Sequence, residues 1–115
     1  KTLDLDPDCN PDFLQDAREP FPIQSPDHEQ WAAVLIDRPY TREDAAHYAP
    51  GADALPEVNQ LLKQDLAVVP MGGRVGVLDY MWPHPGKRGQ EVAFMAVGTG
   101  RNGRARWFTV FERIE

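Results

Sequence analysis

The sequence predicts an α+β fold, with short helices in the first half packed on one face of a three- to four-stranded antiparallel β-meander formed by the second half. Helix-start signals recur before residue 65, and the apolar period shortens after it. Asn102-Gly103 then stands between two β-type runs, a strong short-range hairpin signal. The expected organisation is an acidic, proline-rich extended arm over 1–24 followed by a single α+β domain over 25–115.

The arm carries Pro7, Pro11, Pro20 and Pro22 among Asp4, Asp6, Asp8, Asp12 and Asp16. Proline removes backbone donors and the carboxylates repel, so a regular helix or central strand is disfavoured. Leu3, Leu5, Phe13, Leu14, Phe21 and Ile23 give it apolar anchors to the body.

Ser25-Pro26-Asp27 reads as a helix start: a cap, a proline suited to the first turn, and an acidic group at the positive helix end. Trp31, Val34 and Leu35 then share a face at helical spacing, giving a helix that stops near Asp37 because Pro39 follows Arg38. The competing reading is a buried strand over 31–36. Thr41 and Asp44 resemble a capping box and open a second short helix, ended by Pro50-Gly51. A third helix begins near Pro56 and runs to about Asp65, with Val58, Leu61 and Leu62 as its apolar stripe. Strands are expected at 66–69, 74–82, 91–97 and 106–114, the third of them apolar on both faces and so central. The expected core includes Leu35, Leu61, Leu62, Val77, Phe94, Val97, Val110 and Phe111.

Length and composition bound the function. A chain of 115 residues fits one core. No apolar run approaches the roughly 20 residues of a membrane-spanning helix, and no signal-peptide pattern follows Lys1, so a cytoplasmic protein is expected. Cys9 is the only cysteine, which excludes an internal disulfide and suits a reducing compartment. Nine arginines against three lysines fit a GC-rich bacterial or phage genome.

The net charge of −6 is unevenly spread: residues 1–65 hold 5 basic and 14 acidic groups, and residues 66–115 hold 7 basic and 4 acidic. The acidic balance disfavours non-specific nucleic-acid binding by the whole surface, while the second half can engage an anion locally.

Motif matches fail on context. Gly98, Gly100 and Gly103 satisfy G-x-G-x-x-G, but a strand rather than a phosphate-binding helix is expected next. Asp4, Asp6 and Asp8 alternate as in a calcium loop, yet Cys9 stands where that loop needs glycine and Gln15 where it needs glutamate. His28, His47 and His84 are scattered, so no metal and no cofactor is expected.

What stands out is an aromatic and basic set: Tyr80, Trp82, His84, Lys87 and Arg88, with Arg101, Arg104 and Arg106 at the expected hairpin. Guanidinium groups grip phosphate or carboxylate, and indole or phenol rings stack on planar groups. The leading expectation is therefore a non-enzymatic binding or regulatory protein that engages a protein or other anionic partner through this face. One alternative is a small nucleic-acid-associated protein using the basic hairpin. Another is a small hydrolase or transferase using Asp37, Glu43, Asp44 and His47 as acid and base groups.

Overall fold

The computed structural model describes residues 1–20, 31–48, 55–99 and 104–115. Among these residues it is α+β, with two α-helices, a four-stranded mixed sheet and a small two-stranded parallel sheet. In chain order the elements are β1 (Leu3–Asp4), β2 (Phe13–Leu14), β3 (Ala33–Asp37), α1 (Arg42–Tyr48), α2 (Val58–Val68), β4 (Arg74–Asp79), β5 (Gly89–Thr99) and β6 (Arg104–Arg113).

The large sheet runs β3-β4-β6-β5. β6 pairs antiparallel with both β4 and β5, whereas β3 lies parallel to β4. The expected antiparallel meander is thus corrected on two counts: one pair is parallel, and β6 is inserted between β4 and β5. A parallel pair needs a crossover, and residues 38–73 supply it with α2 laid on the sheet.

Register sorts the side chains. Val34, Val75 and Phe111 face α2 in one row, and Ile36, Val77 and Thr109 in the next. From the helix side Val58, Leu61, Leu62 and Leu66 complete the core, with Val69 just beyond the helix. Alternate residues, among them Leu35, Leu78, Phe108, Val110 and Met95, occupy the opposite face of the sheet.

The helix expected up to Asp37 is corrected over 33–37 to the competing strand. Val34 and Ile36 are buried while Ala33, Leu35 and Asp37 are exposed, the period of two that a parallel neighbour imposes. The proposed cap at Ser25 lies outside the described residues. The strand expected at 66–69 is the end of α2, because Leu66 and Val69 extend the stripe set by Val58, Leu61, Leu62 and Asp65. Arg113 closes that helix end, its Nη1 donating to the carbonyls of Ala67 at 3.2 Å and Val69 at 2.6 Å. The capping signal at Thr41 is realised, its Oγ1 accepting the Asp44 N–H at 3.0 Å.

β5 is corrected from a central to an edge strand. Its two apolar faces reflect exposure, not burial: Phe94 is 58% and Met95 56% exposed. Leu35, at 77%, also leaves the expected core, while Leu61, Leu62, Val77 and Phe111 belong to it. Val97 and Val110 are half-buried. Gly76 sits beneath the Leu35 and Phe108 side chains, where a Cβ would come within 2.8 Å of Leu35 Cδ2 and 2.9 Å of Phe108 Cζ. The expected hairpin turn lies outside the described residues, but its strands pair through Thr99 and Arg104.

In the N-terminal segment, β1 and β2 pair in parallel through Leu3 with Phe13 and Asp4 with Leu14. Asp4 and Asp6 turn inward on the chain, accepting the N–H groups of Asp6 and Asp8 at 2.9 Å each. The segment meets the body at Phe13, edge-on to Trp31 with centroids 6.2 Å apart, and at Gln64, whose Nε2 donates to the carbonyls of Ala17 and Glu19.

Asp65 is buried on the inner side of α2, and that burial pushes its carboxyl up to about 7. A raised carboxyl pKa means the folded state holds a proton that the unfolded chain releases from about pH 4 upward. Stability therefore falls as pH rises from about 4 to about 7, by about 1.4 kcal/mol per pH unit at most, and levels off above that. Denaturation across pH 5–8 should show this slope in the wild type and lose it in Asp65→Asn. Phe111→Ala should cost about 3–5 kcal/mol and Phe94→Ala less than about 1 kcal/mol, measured by urea unfolding.

Candidate functional site

Ligands of open sheets with parallel strands bind outside the carboxyl ends of those strands, where successive loops diverge. In this chain that place is the end shared by β3 and β4, immediately followed by Arg38, Pro39 and Tyr40 on one side and Tyr80, Met81 and Trp82 on the other.

Arg38 and Asp79 pin the two strand ends together. Arg38 Nε donates to Asp79 Oδ2 at 2.7 Å and Nη2 to Oδ1 at 3.4 Å, with side chains only 7% and 2% exposed. The remaining polar atoms of the pair are occupied. Arg38 Nη1 donates to the Pro56 carbonyl at 3.1 Å, and Asp79 Oδ1 accepts the Met81 N–H at 2.9 Å. Such a buried pair orients the two loops more than it stabilises the fold.

On the face away from α2, Tyr40 donates its hydroxyl to Asp37 Oδ1 at 3.0 Å and accepts from Arg106 Nη1. Arg106 Nη1 also lies 3.9 Å from Asp37 Oδ1, and its guanidinium carbon stands 5.3 Å from the Tyr40 ring centre. Burial pushes the Tyr40 hydroxyl up, opposed by the Arg106 bond. The Tyr40 bond in turn holds the Arg106 guanidinium above its ordinary value. Tyr80 meets Tyr40 edge-on with centroids 4.6 Å apart and keeps part of its ring exposed. The Asp37 side chain is 66% exposed. Arg106 Nε is buried and has no hydrogen-bond partner.

On the α2 side of the sheet, Trp82 packs on Phe94 and Trp107, with centroids at 5.1 and 5.2 Å. Its Nε1 donates to Glu91 Oε2 at 2.8 Å. His84 has a structural arrangement, its N–H donating to Asn59 Oδ1 at 2.7 Å and its Nδ1 accepting the Gly86 N–H at 3.1 Å.

The aromatic and basic residues expected to share one face are divided. Tyr80 and Arg106 meet through Tyr40, and Trp82 lies on the other side of the sheet. Lys87 and Arg88 occupy a 3-10 turn before β5, where Gly89 pairs with Arg113, while Arg104 pairs with Thr99 at the far end of the same strand. An eleven-residue strand separates these charges, roughly 30 Å. Arg101 lies outside the described residues. Of the acid–base set, Asp37 belongs to the tyrosine cluster, while Glu43, Asp44 and His47 lie on α1. Among the described residues no three His, Cys, Asp or Glu side chains converge to hold a metal ion, and no helix is long and apolar enough to cross a membrane.

Tyr40 and the Arg38–Asp79 pair were not singled out as a site by sequence reasoning. The signal was present: two opposite charges and a proline directly after the apolar run at 33–36, which mark a strand's carboxyl end once the run is read as a strand.

No protein-family model matches this chain, and neither a curated protein nor a solved structure matches it.

Leaving either member of the buried pair alone strands a charge. Asp79→Ala should cost about 3–5 kcal/mol in urea unfolding, while the double variant Arg38→Met/Asp79→Leu should recover most of that loss.

Proposed function

We propose that this chain is a binding protein that holds an anionic partner bearing a planar ring, the chemistry of a nucleotide or an unpaired nucleic-acid base, at the carboxyl ends of β3 and β4. The observation that carries the reading is the cluster of Asp37, Tyr40, Tyr80 and Arg106 at that end of the sheet. Tyr80 offers a partly exposed ring for stacking, and Asp37 offers an exposed carboxylate that accepts from a ring amino group. Arg106 and Arg104 stand on one face of the same strand, where they meet a phosphate. In this reading Trp82, on the opposite face of the sheet, lies outside the site together with His84, Lys87 and Arg88. A protein partner with an acidic, aromatic-rich segment is the alternative occupant, and it requires no ring amine.

A second reading, a transferase acting on an amino group, is favoured by Asp37 itself. It is an exposed carboxylate at the strand end where such sheets place chemistry, with a tyrosine hydroxyl donating to it. Asp37→Asn separates the two readings: binding survives a transferase's loss of chemistry, whereas a pure binder loses only its preference for amino-bearing rings.

Binding is measured by fluorescence anisotropy with labelled single-stranded oligonucleotides of adenine and of thymine. The adenine strand should bind more tightly, because thymine lacks the amino donor. Tyr80→Ala and Arg104→Ala should each weaken it by about tenfold or more, a loss of roughly 1–3 kcal/mol. The Arg104 effect should fade between 0.1 and 1 M salt, as the Debye length shrinks from about 10 Å to about 3 Å. Equal affinity for both strands, untouched by either variant, would sink the reading.

A further inference from the structure

Phe108 belongs to the face of the sheet away from α2, in one row with Asp37, Leu78 and Met95. Its side chain leans along the sheet instead of standing off it. Cζ and Cε2 reach β4 over Gly76, within 2.9 and 3.0 Å of where a Cβ would stand. A methyl group at 76 would have to displace the ring, so this glycine lets an aromatic side chain settle low across the two central strands. Phe108 is half-buried there, and part of it stays open to solvent. Arg106 precedes it on the same face of β6, and Tyr80 stands one step beyond the Asp79–Trp107 pair, level with Arg106. At the other end of these strands, beyond Val110, Arg74 and Glu112 form an ion pair at 3.5 Å.

We infer that Phe108 is a second base-stacking position, so that the ligand is a single strand of at least two linked nucleotides; this rests on the nucleotide reading of the Tyr80 cluster. A phosphate held by Arg106 then has an aromatic ring on either side: Tyr80 across on β4, and Phe108 one step further along β6. Strand residues that share a face stand about 7 Å apart, twice the roughly 3.4 Å between stacked bases. The two bases are therefore splayed onto separate rings and do not stack on each other, which a single strand permits and a duplex does not. Positive charge for the linking phosphate comes from Arg106, beside the apolar surface of Leu78, Phe108 and Val110. The Arg74–Glu112 pair closes that surface, which leaves room for two bases.

The test is competition against a labelled adenine strand, read by fluorescence anisotropy. The competitors are adenosine monophosphate and unlabelled adenine oligonucleotides of two, three and four units. Two units should bind about tenfold or more tighter than one, and the third and fourth should add less than about threefold each. Phe108→Leu keeps an apolar side chain without a ring and should remove the gain from the second unit. Gly76→Ala keeps the ring but lifts it, and should reduce the same gain. Circular dichroism and the urea midpoint identify which variants are folded, and either one alone carries the comparison. Equal affinity for one and two units overturns the inference and leaves the Tyr80 reading standing, as does a gain that persists in a folded Phe108→Leu. A duplex that competes as well as the single strand also overturns it. Failure of every length to bind removes both.

Discussion

Strands that run parallel cannot be joined by a tight turn, and the pairing of β3 with β4 imposes this constraint on the whole chain. Residues 38–73 have to leave the end of β3, travel back and enter β4 from the other end. α2 is the rigid part of that return path, and its apolar stripe covers Val34, Ile36, Val75 and Val77. Once β4 is fixed against α2, β6 closes on β4's free side and brings β5 with it. The C-terminal end of β6 then reaches back to the helix through Arg113.

The same constraint decides where chemistry can gather. Side-by-side carboxyl ends send two loops away from one point, and the backbone there is held by Arg38 and Asp79 rather than by apolar packing. A charged pair costs desolvation, but it fixes direction as well as distance. Tyr40 and Tyr80 leave these loops on the far face, where Arg106 arrives from the third strand. Three separate stretches of chain thus supply one small polar cluster, while the charges at Lys87 and Arg88 are left at the other end of β5.

Where physical signals are local, the sequence made the structure legible. Thr41 caps α1 as its spacing implies, Val58, Leu61 and Leu62 form the inner stripe of α2, and β5 and β6 flank the Asn-Gly pair. Where the deciding partner is distant, it did not. Residues 33–37 carry helix-compatible spacing, and only β4 alongside them selects the extended state. Val92, Phe94 and Met95 look like a buried strand because apolarity alone does not distinguish a core from an edge. The functional cluster suffers most from this: Arg106 and Tyr80 were visible as a basic and an aromatic residue, but Tyr40 and the Asp79 partner of Arg38 acquire meaning only when strand order is known.

Gly76 carries a mechanical consequence. Leu35 on β3 and Phe108 on β6 both lean over it, although β4 runs between their strands. The absent methyl lets side chains of the edge strand and of its second neighbour settle over the same point of β4, so β3 is fastened by more than one row of backbone hydrogen bonds. A load that tries to slide β3 along β4 must also drag Leu35 out of the space above Gly76. The parallel pair, the weaker kind of ladder, is thereby reinforced in shear at its midpoint.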